Sequence, residues 1–249
     1  MKKRLVQISR FLLPRSIRLR IVRLTRRPRV GRVNFGDLRR IKPISRDWGG
    51  DRGLPVDRYY IEKFLAYRAG DIRGRVLEVG DNSYTRKFGG HRVLQSDVLH
   101  TEPGHPKTTL IADLANAPHL PSDTFDCIIC TQTLQYIPDL PAAIRTLYRI
   151  LRPDGVLLAT VPGISQIYQD GKNRWGDYWR FTSLSARWLC DAVFGKPQVS
   201  VQIYGNVLVG TAFLQGLATE ELNQEELDFV DPQYELLITL RAQKLDRMS

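Results

Sequence analysis

Acidic side chains and one glycine follow apolar segments in the middle of the chain. Residues 75–79 form a largely apolar strand that contains Glu78 and leads into Gly80, and the predicted second strand at 91–96 is followed by Asp97. A glycine after the first strand lets the backbone approach a nucleotide cofactor closely. An acid after the second strand can hold both hydroxyls of a ribose. Asp97 follows Gly80 by 17 residues, close to the roughly 20 expected. This spacing predicts a nucleotide-type cofactor site.

Two further apolar runs end in polar residues. The run at 108–112 is followed by Asp113, and the run at 125–130 is followed by Thr131 and Gln132. Ligands of open parallel sheets bind outside the carboxyl ends of the strands, so we expect these residues at one sheet edge. Asp97 and Asp113 have an alternative role as helix caps. Glu78, inside an apolar strand, requires a polar partner.

The elements that position these residues alternate between apolar strands and helical patterns. The sequence predicts an α/β fold in which a mostly parallel sheet is covered by helices on both faces. A basic N-terminal arm at 1–42 precedes this α/β domain, which spans 43–249. The predicted helices span 56–68, 140–151, 184–193 and 207–218, and the later strands span 156–161, 198–203 and 234–242.

The ordered segments VLEVG, SDV, IADL, FDCIICTQTLQYIPD and LYRILRPDGVLLATVPG resemble the motifs of class I S-adenosylmethionine methyltransferases, in particular the type 11 branch. The resemblance covers roughly residues 57–194. It implies a Rossmann-like methyltransferase fold of seven strands with an antiparallel C-terminal strand, and S-adenosyl-L-methionine as the cofactor.

The resemblance also implies roles for individual residues. Glu78 and Gly80 would lie beside the methionine portion, Asp97 would bind the ribose hydroxyls, Asp113 and Leu114 would flank the adenine, and Thr131 and Gln132 would line the pocket near the sulfonium. Apart from these family roles, Val98 and Tyr59 are candidate cofactor contacts. The family loop E-x-G-x-G-x-G is reduced here to its first glycine. Asn82 tolerates a left-handed backbone better than most residues and is expected to preserve the turn.

The acceptor site is predicted in the aromatic and polar segment 168–182. Asp177 is the candidate general base for an oxygen acceptor, with Tyr178, Trp179 and Arg180 as substrate-binding residues. The stretch DYWRFT is similar to that of type 11 relatives of cell-surface saccharide pathways, which implies O-methylation of a saccharide or related small molecule, including a membrane-associated glycan precursor. In the alternative interpretation the aromatic rings pack the loop, Asp177 pairs with Arg180, and Thr182 caps the next helix.

The arm carries most of the positive charge. Residues 1–42 contain 15 Lys and Arg and a single acid, Asp37, whereas the remaining 207 residues contain 22 bases and 25 acids. Leu5, Ile8 and Leu12, and then Ile17, Ile21 and Leu24, recur at helical spacing. Such an amphipathic arm suits an anionic membrane surface. Docking to a partner protein or a solvated arm are alternatives, and nucleic acid is less favoured.

The cysteines do not indicate a metal or redox site. Cys127 and Cys130 lie three apart on a predicted strand and therefore point to opposite faces. We expect buried structural cysteines, no metal and a cytoplasmic protein, peripheral on the membrane if the arm binds there.

Two other functions compete with the leading interpretation. An RNA methyltransferase suits the charge of the arm, but the chain has Thr131-Gln132 where amino-directed nucleic-acid enzymes carry N/D-P-P-Y/F. A catalytically inactive methyltransferase-fold scaffold would explain the loss of the loop glycines.

Overall fold

The computed structural model describes residues 14–25, 27–169 and 176–245. Its contacts divide the chain into two units, Met1–Lys42 and Pro43–Ser249. The helices are α1 (Arg15–Thr25), α2 (Val56–Tyr67), α3 (Leu140–Ile150), α4 (Ser183–Phe194), α5 (Val207–Leu214) and α6 (Gln224–Asp228).

In the first unit, α1 begins directly after Pro14, so the helical spacing of Ile17 and Ile21 is confirmed. Both isoleucine side chains are 46% exposed. The predicted helical piece that contains Leu5, Ile8 and Leu12 lies outside the described residues.

The second unit is built on one seven-stranded sheet. Its spatial order is β3-β2-β1-β4-β5-β7-β6. β7 runs antiparallel to both β5 and β6, and the remaining pairs are parallel. The predicted fold class is therefore confirmed. The strands are β1 (Gly74–Val79), β2 (Val93–His100), β3 (Leu110–Ile111), β4 (Phe125–Thr131), β5 (Leu151–Pro162), β6 (Val199–Tyr204) and β7 (Leu237–Gln243).

Apolar side chains fill both faces of this sheet. One cluster joins the sheet to α3 and α4 and includes Leu77 and Cys130. The other joins it to α2, α5 and α6 and includes Val76 and Cys127. Because neighbouring residues of a strand point to opposite faces, β1 contributes to both clusters. The prediction that the two cysteines lie on opposite faces is confirmed, and burial raises the pKa of both thiols.

Three element boundaries differ from the sequence prediction in a way that matters for the site. β2 runs on to His100 instead of ending before Asp97. β5 begins at Leu151 instead of residue 156, and Asp154 within it has a φ of 63°. α5 ends at Leu214, since Gly216 follows with a φ of 69°.

Within the described residues, no helix is long and apolar enough to cross a membrane. The same residues contain no group of three or more His, Cys, Asp or Glu side chains placed to hold a metal ion.

Candidate active site

A cavity of about 510 Å³ opens at the carboxyl ends of the central strands. We call it the edge cavity. The turn after β1, the end of β2, the segment after β3 and the end of β4 meet there because parallel strands place their carboxyl ends at one edge. Its lining includes Gly80, His100, Thr101, Glu102, Asp113, Leu114, Thr131, Gln132, Tyr136 and Tyr178.

The turn after β1 needs only one glycine. Gly80 has a φ of 92°, and a Cβ built there meets no atom within 4 Å, so its missing side chain opens onto free space. Asp81 accepts from the Ser83 backbone N–H at 2.5 Å and pairs with Lys107 at 2.9 Å.

Asn82 does not take the left-handed conformation that we expected. It is buried, and its side-chain amide donates to the Ser96 hydroxyl at 3.3 Å. Side-chain hydrogen bonds of Asp81 and Asn82 thus stabilise this loop, which lacks the second and third glycines of the family motif.

The carboxylate of Glu78 holds the chain that follows this turn. It accepts from the Thr85 N–H and the Thr85 hydroxyl, both at 2.7 Å, and from the Tyr84 N–H at 3.3 Å. Burial is the largest influence and raises the pKa of Glu78 to about 7, although these hydrogen bonds favour the charged form. Glu78 does not line the edge cavity. Its partner is Thr85, and it positions the turn from behind.

Asp97 does not lie at a strand end, and that prediction is wrong. Its Cα pairs with Leu77 in the middle of the parallel ladder, and its side chain is 7% exposed. The carboxylate accepts from Arg75 Nε at 2.7 Å and from the Thr109 hydroxyl at 3.1 Å. Because this guanidinium compensates the acid, the strand continues through it. Asp97 lies outside the lining of the edge cavity.

Val98 and Tyr59 also lie away from the edge cavity. Val98 is buried inside β2, opposite Glu78. The Tyr59 hydroxyl donates to Asp228 at 2.9 Å and accepts from Gln224 at 2.5 Å, which ties this ring to α6. The structure supports neither residue as a cofactor contact.

The acid at the true end of β2 is Glu102. It lies two residues beyond His100, is exposed, and lines the edge cavity. We overlooked it because Asp97 was taken as the end of the strand. The signal was present, since the apolar Val98 and Leu99 continue the run past Asp97.

The remaining predicted edge residues do meet. Asp113, Leu114, Thr131 and Gln132 all line the edge cavity. Asp113 accepts from the Ala115 N–H at 2.8 Å, which fixes the turn after β3. Gln132 has a φ of 47°, uncommon for a residue with a side chain. Among the described residues its buried Nε2 has no hydrogen-bond partner.

A second cavity of about 320 Å³ lies beside the first and shares Gln132 and Tyr136 with it. We call it the inner cavity. The segment before α2 and the beginning of α2 form one wall. The sequence predicted a site contact in this region chiefly at Tyr59, which does not line the inner cavity. Its lining includes Asp47, Trp48, Asp57, Arg58, Gln132, Gln135, Tyr136, Tyr168, Asp177 and Arg180.

Asp177 faces the inner cavity, but its oxygens are occupied. Arg180 forms a bidentate pair with it at 2.6 and 2.8 Å, and the Tyr168 N–H donates to it at 2.8 Å. Two parts of the alternative interpretation are therefore seen, the pairing of Asp177 with Arg180 and the cap that Thr182 makes on α4. A carboxylate with three such bonds is poorly placed to accept a proton from a substrate.

The two aromatic residues of the same stretch separate. Tyr178 is 55% exposed and lines the edge cavity. Trp179 donates from its indole N–H to the Ile137 carbonyl at 3.0 Å and lines neither cavity.

Comparisons with known proteins agree with this architecture. Residues 56–191, more than half of the chain, match a family described as "Methyltransferase domain". The mitochondrial arginine-hydroxylase NDUFAF5 of Rattus norvegicus is 22% identical over 152 residues, covering 53% of this chain and 43% of that protein. The chain thus spans less than half the length of this curated relative.

Solved structures show the same fold at low identity. The cyclase SpnF has a TM-score of 0.51 and 17% identity, over 79% of this chain and 85% of that chain. A SAM dependent methyltransferase from Archaeoglobus fulgidus has a TM-score of 0.50 and 12% identity, over 75% of this chain and 94% of that chain.

The edge cavity fits the cofactor that this family uses. Its volume of about 510 Å³ lies in the range of small-molecule sites. The free space at Gly80 allows a ligand to approach the backbone, and Gln132 Nε2 has no hydrogen-bond acceptor among the described residues. On the match of its sequence, with which the architecture of its sheet agrees, the chain belongs to the methyltransferase-domain family.

Proposed function

We propose that the protein methylates a hydroxyl of a small polar acceptor, a saccharide or related molecule, bound in the inner cavity. The observation that supports this most directly is that the inner cavity adjoins the edge cavity and shares Gln132 and Tyr136 with it. A cofactor in one cavity and an acceptor in the other would meet across these two side chains.

In this proposal the edge cavity holds S-adenosylmethionine through the residues that line it. Gly80 leaves room at the turn, Glu102 replaces Asp97 as the acid for the ribose hydroxyls, and Asp113 with Leu114 borders the adenine. Thr131 and Gln132 lie next to the inner cavity. Glu78 and Asp97 act behind this layer, by holding the turn and the strand.

The bound cofactor would supply a methyl group activated by a sulfonium: the S–CH3 bond breaks as the O–CH3 bond forms, S-adenosylhomocysteine is released, and the hydroxyl proton passes to solvent water. Transfer by in-line displacement depends chiefly on alignment and on exclusion of water. Contacts with the walls of the inner cavity would align the acceptor. Trp48, Tyr136 and Tyr168 form an aromatic wall, with ring centroids 5.7 Å apart for Trp48–Tyr168 and 5.9 Å for Tyr136–Tyr168. Flat rings beside hydrogen-bonding groups suit a hydroxylated ring.

Asp177 has a positioning role in this proposal. It holds Arg180, whose Nη2 also donates to the Gln166 carbonyl at 2.5 Å, so that the pair joins two parts of the acceptor wall. The pair maintains the shape of the inner cavity without taking a proton.

Calorimetry and methyl transfer test the proposal in two steps. We expect micromolar binding of S-adenosylmethionine and S-adenosylhomocysteine, weakened in Glu102→Gln and retained in Asp97→Asn. Transfer of labelled methyl to a panel of monosaccharides and polyols then tests the acceptor class. Absence of cofactor binding by the intact protein would contradict the cofactor site and favour a scaffold. Labelling of RNA but of no small molecule would contradict the acceptor.

A second proposal concerns the first unit, which we expect to bind anionic membrane surfaces. On α1, the exposed apolar side chains Ile17 and Ile21 accompany the exposed basic residues Arg15, Arg20 and Arg23. Each basic residue near such a surface contributes on the order of 1 kcal/mol. A peripheral position would suit a membrane-associated glycan precursor as acceptor.

Co-sedimentation with vesicles tests this second proposal. We expect binding to vesicles with phosphatidylserine, none to pure phosphatidylcholine, and loss of binding when Arg15, Arg20 and Arg23 are all changed to Gln. Equal binding to both vesicle types would show that the basic residues do not drive the association, and no binding to either would favour a partner protein or nucleic acid.

A further inference from the structure

The inner cavity contains carboxylates without a cationic partner. Among the described residues, neither Asp47 nor Asp57 has an ion-pair partner within 4 Å. The two arginines of the lining are engaged elsewhere. Arg180 is paired with Asp177. Arg58 donates to the Tyr84 hydroxyl at 2.8 Å, and its guanidinium carbon lies 5.9 Å from the centre of that ring.

Asp57 is the more deeply placed of the two acids. It lies in the first turn of α2, and the Arg58 backbone N–H donates to its Oδ1 at 2.8 Å. Burial raises the pKa of Asp57 above its ordinary value, against the opposing influence of Arg58. Asp47 is exposed at the mouth of the cavity. A positive ligand group would offset the cost of holding charge here.

A third acceptor in the same cavity is also without a donor. Gln135 is 3% exposed, and in the described part of the chain its buried Oε1 has no hydrogen-bond partner. Its Nε2 donates to Gln132 Oε1 at 3.3 Å, which leaves the carbonyl oxygen as the free end of the amide. An unsatisfied buried acceptor is costly, so a ligand that donates here gains affinity.

The aromatic wall completes the pattern. Trp48, Tyr136 and Tyr168 border the same space as the two carboxylates. The faces of such rings attract cations, and Trp does so most strongly. An ammonium group has three donors and no acceptor, which matches a cavity whose free groups include two carboxylates and a carbonyl oxygen.

From this juxtaposition we propose that the inner cavity binds its ligand through a positively charged nitrogen, so that the acceptor is an amine-bearing molecule such as an amino sugar. The inference refines the acceptor of the proposed function and rests on it for the identity of the ligand as acceptor. The cation site itself is a property of the cavity and is measurable without methyl transfer.

Matched ligands test the charge directly. Calorimetry on the full chain compares glucosamine with glucose and N-acetylglucosamine, which differ at one position, and choline with its neutral isostere 3,3-dimethylbutan-1-ol. We expect each cation to bind at least about ten-fold more tightly than its neutral counterpart, within the range of partly desolvated cation–π and charge contacts. Equal affinities within each pair, or no binding by any cation, would overturn the proposal.

Variants assign the effect to the cavity. Asp57→Asn and Trp48→Leu are each expected to reduce the ratio of glucosamine affinity to glucose affinity to within about two-fold, with circular dichroism confirming the fold. Two control variants lie at exposed positions outside the cavity: Glu225→Gln also replaces a carboxylate by an amide, and Trp188→Leu repeats the Trp→Leu change. Both should preserve the preference for the cation. An unchanged preference in Asp57→Asn would refute the assignment.

Failure of the inference and failure of the proposed function give different results. Methyl transfer to sugars, together with equal affinities for glucosamine and glucose, would support the proposed function and overturn the cation site. Cation binding in a protein that binds S-adenosylmethionine but methylates none of the acceptors would support the site and contradict the proposed function.

Discussion

Glu78 provides a direct test of the energetics behind the turn at the edge cavity. Burial raises its pKa from an ordinary 4.5 to about 7, against three hydrogen bonds that favour the charged form. The folded protein therefore holds the Glu78 proton more tightly than the unfolded chain does. The stability that this proton confers is complete below pH 4.5 and is lost as the pH rises to about 7.

The size of the effect follows from the same shift. A group whose pKa rises from 4.5 to about 7 on folding costs on the order of 3 kcal/mol once it is ionised. Glu78→Gln keeps the shape and does not titrate. We therefore expect the unfolding free energy of the wild type to fall by about 2–3 kcal/mol relative to the variant between pH 5 and pH 8.

Urea unfolding followed by circular dichroism at several pH values measures this difference. Glu225→Gln, the same change at an exposed position, should show no such trend. Curves for wild type and Glu78→Gln that remain parallel would refute the raised pKa. A wild type that gains stability with pH would show that hydrogen bonds to the charged form outweigh burial.

Four further substitutions separate cofactor contacts from supporting residues. Gly80→Ala places a side chain at a φ of 92°, so we expect a loss of about 1–2 kcal/mol in unfolding free energy and weaker S-adenosylmethionine binding by calorimetry. Asp97→Asn should lower thermal stability by about 1–3 kcal/mol at constant cofactor affinity, because its carboxylate serves a buried ion pair. Glu102→Gln should weaken cofactor binding at constant unfolding free energy. Equal losses of affinity in Asp97→Asn and Glu102→Gln would contradict the assignment of Glu102 as the ribose ligand. Asp177→Asn frees Arg180 and should slow methyl transfer by up to about 100-fold through misalignment, with cofactor affinity unchanged.

The sheet could be predicted from the sequence because its strands are nearly continuous apolar runs. β1 and β4 were placed to within one residue, and their carboxyl ends locate Gly80, Thr131 and Gln132 at the cavity. The prediction failed where a buried charge interrupts a run. Arg75, which neutralises Asp97, lies on another strand, so the pairing depends on the sheet register.

The inner cavity was harder to predict for a different reason. Trp48 and Asp57 come before β1, whereas Tyr168 comes after β5, and only the folded chain brings them to one wall. Trp48 and Asp57 carry no local pattern that indicates a ligand, whereas Tyr168 belongs to the segment predicted to bind the acceptor. Asp47 and Asp57 stand out only because no cationic side chain forms an ion pair with them in the described part of the chain. That fact cannot be read from the sequence, because it depends on which side chains the fold places around them.

The burial of the three thiols makes their alkylation a measure of how each layer opens. Cys127 packs on the face covered by α2, while Cys130 and Cys190 pack on the face covered by α3 and α4. A thiol reacts as its thiolate, which burial disfavours, so modification requires opening of the layer above it. Mass spectrometry of alkylated peptides therefore measures the opening rates of the two helical layers separately, from the alkylation rates of their cysteines. Equal rates would mean that the sheet loses both coverings in one cooperative event, and unequal rates would identify the weaker layer.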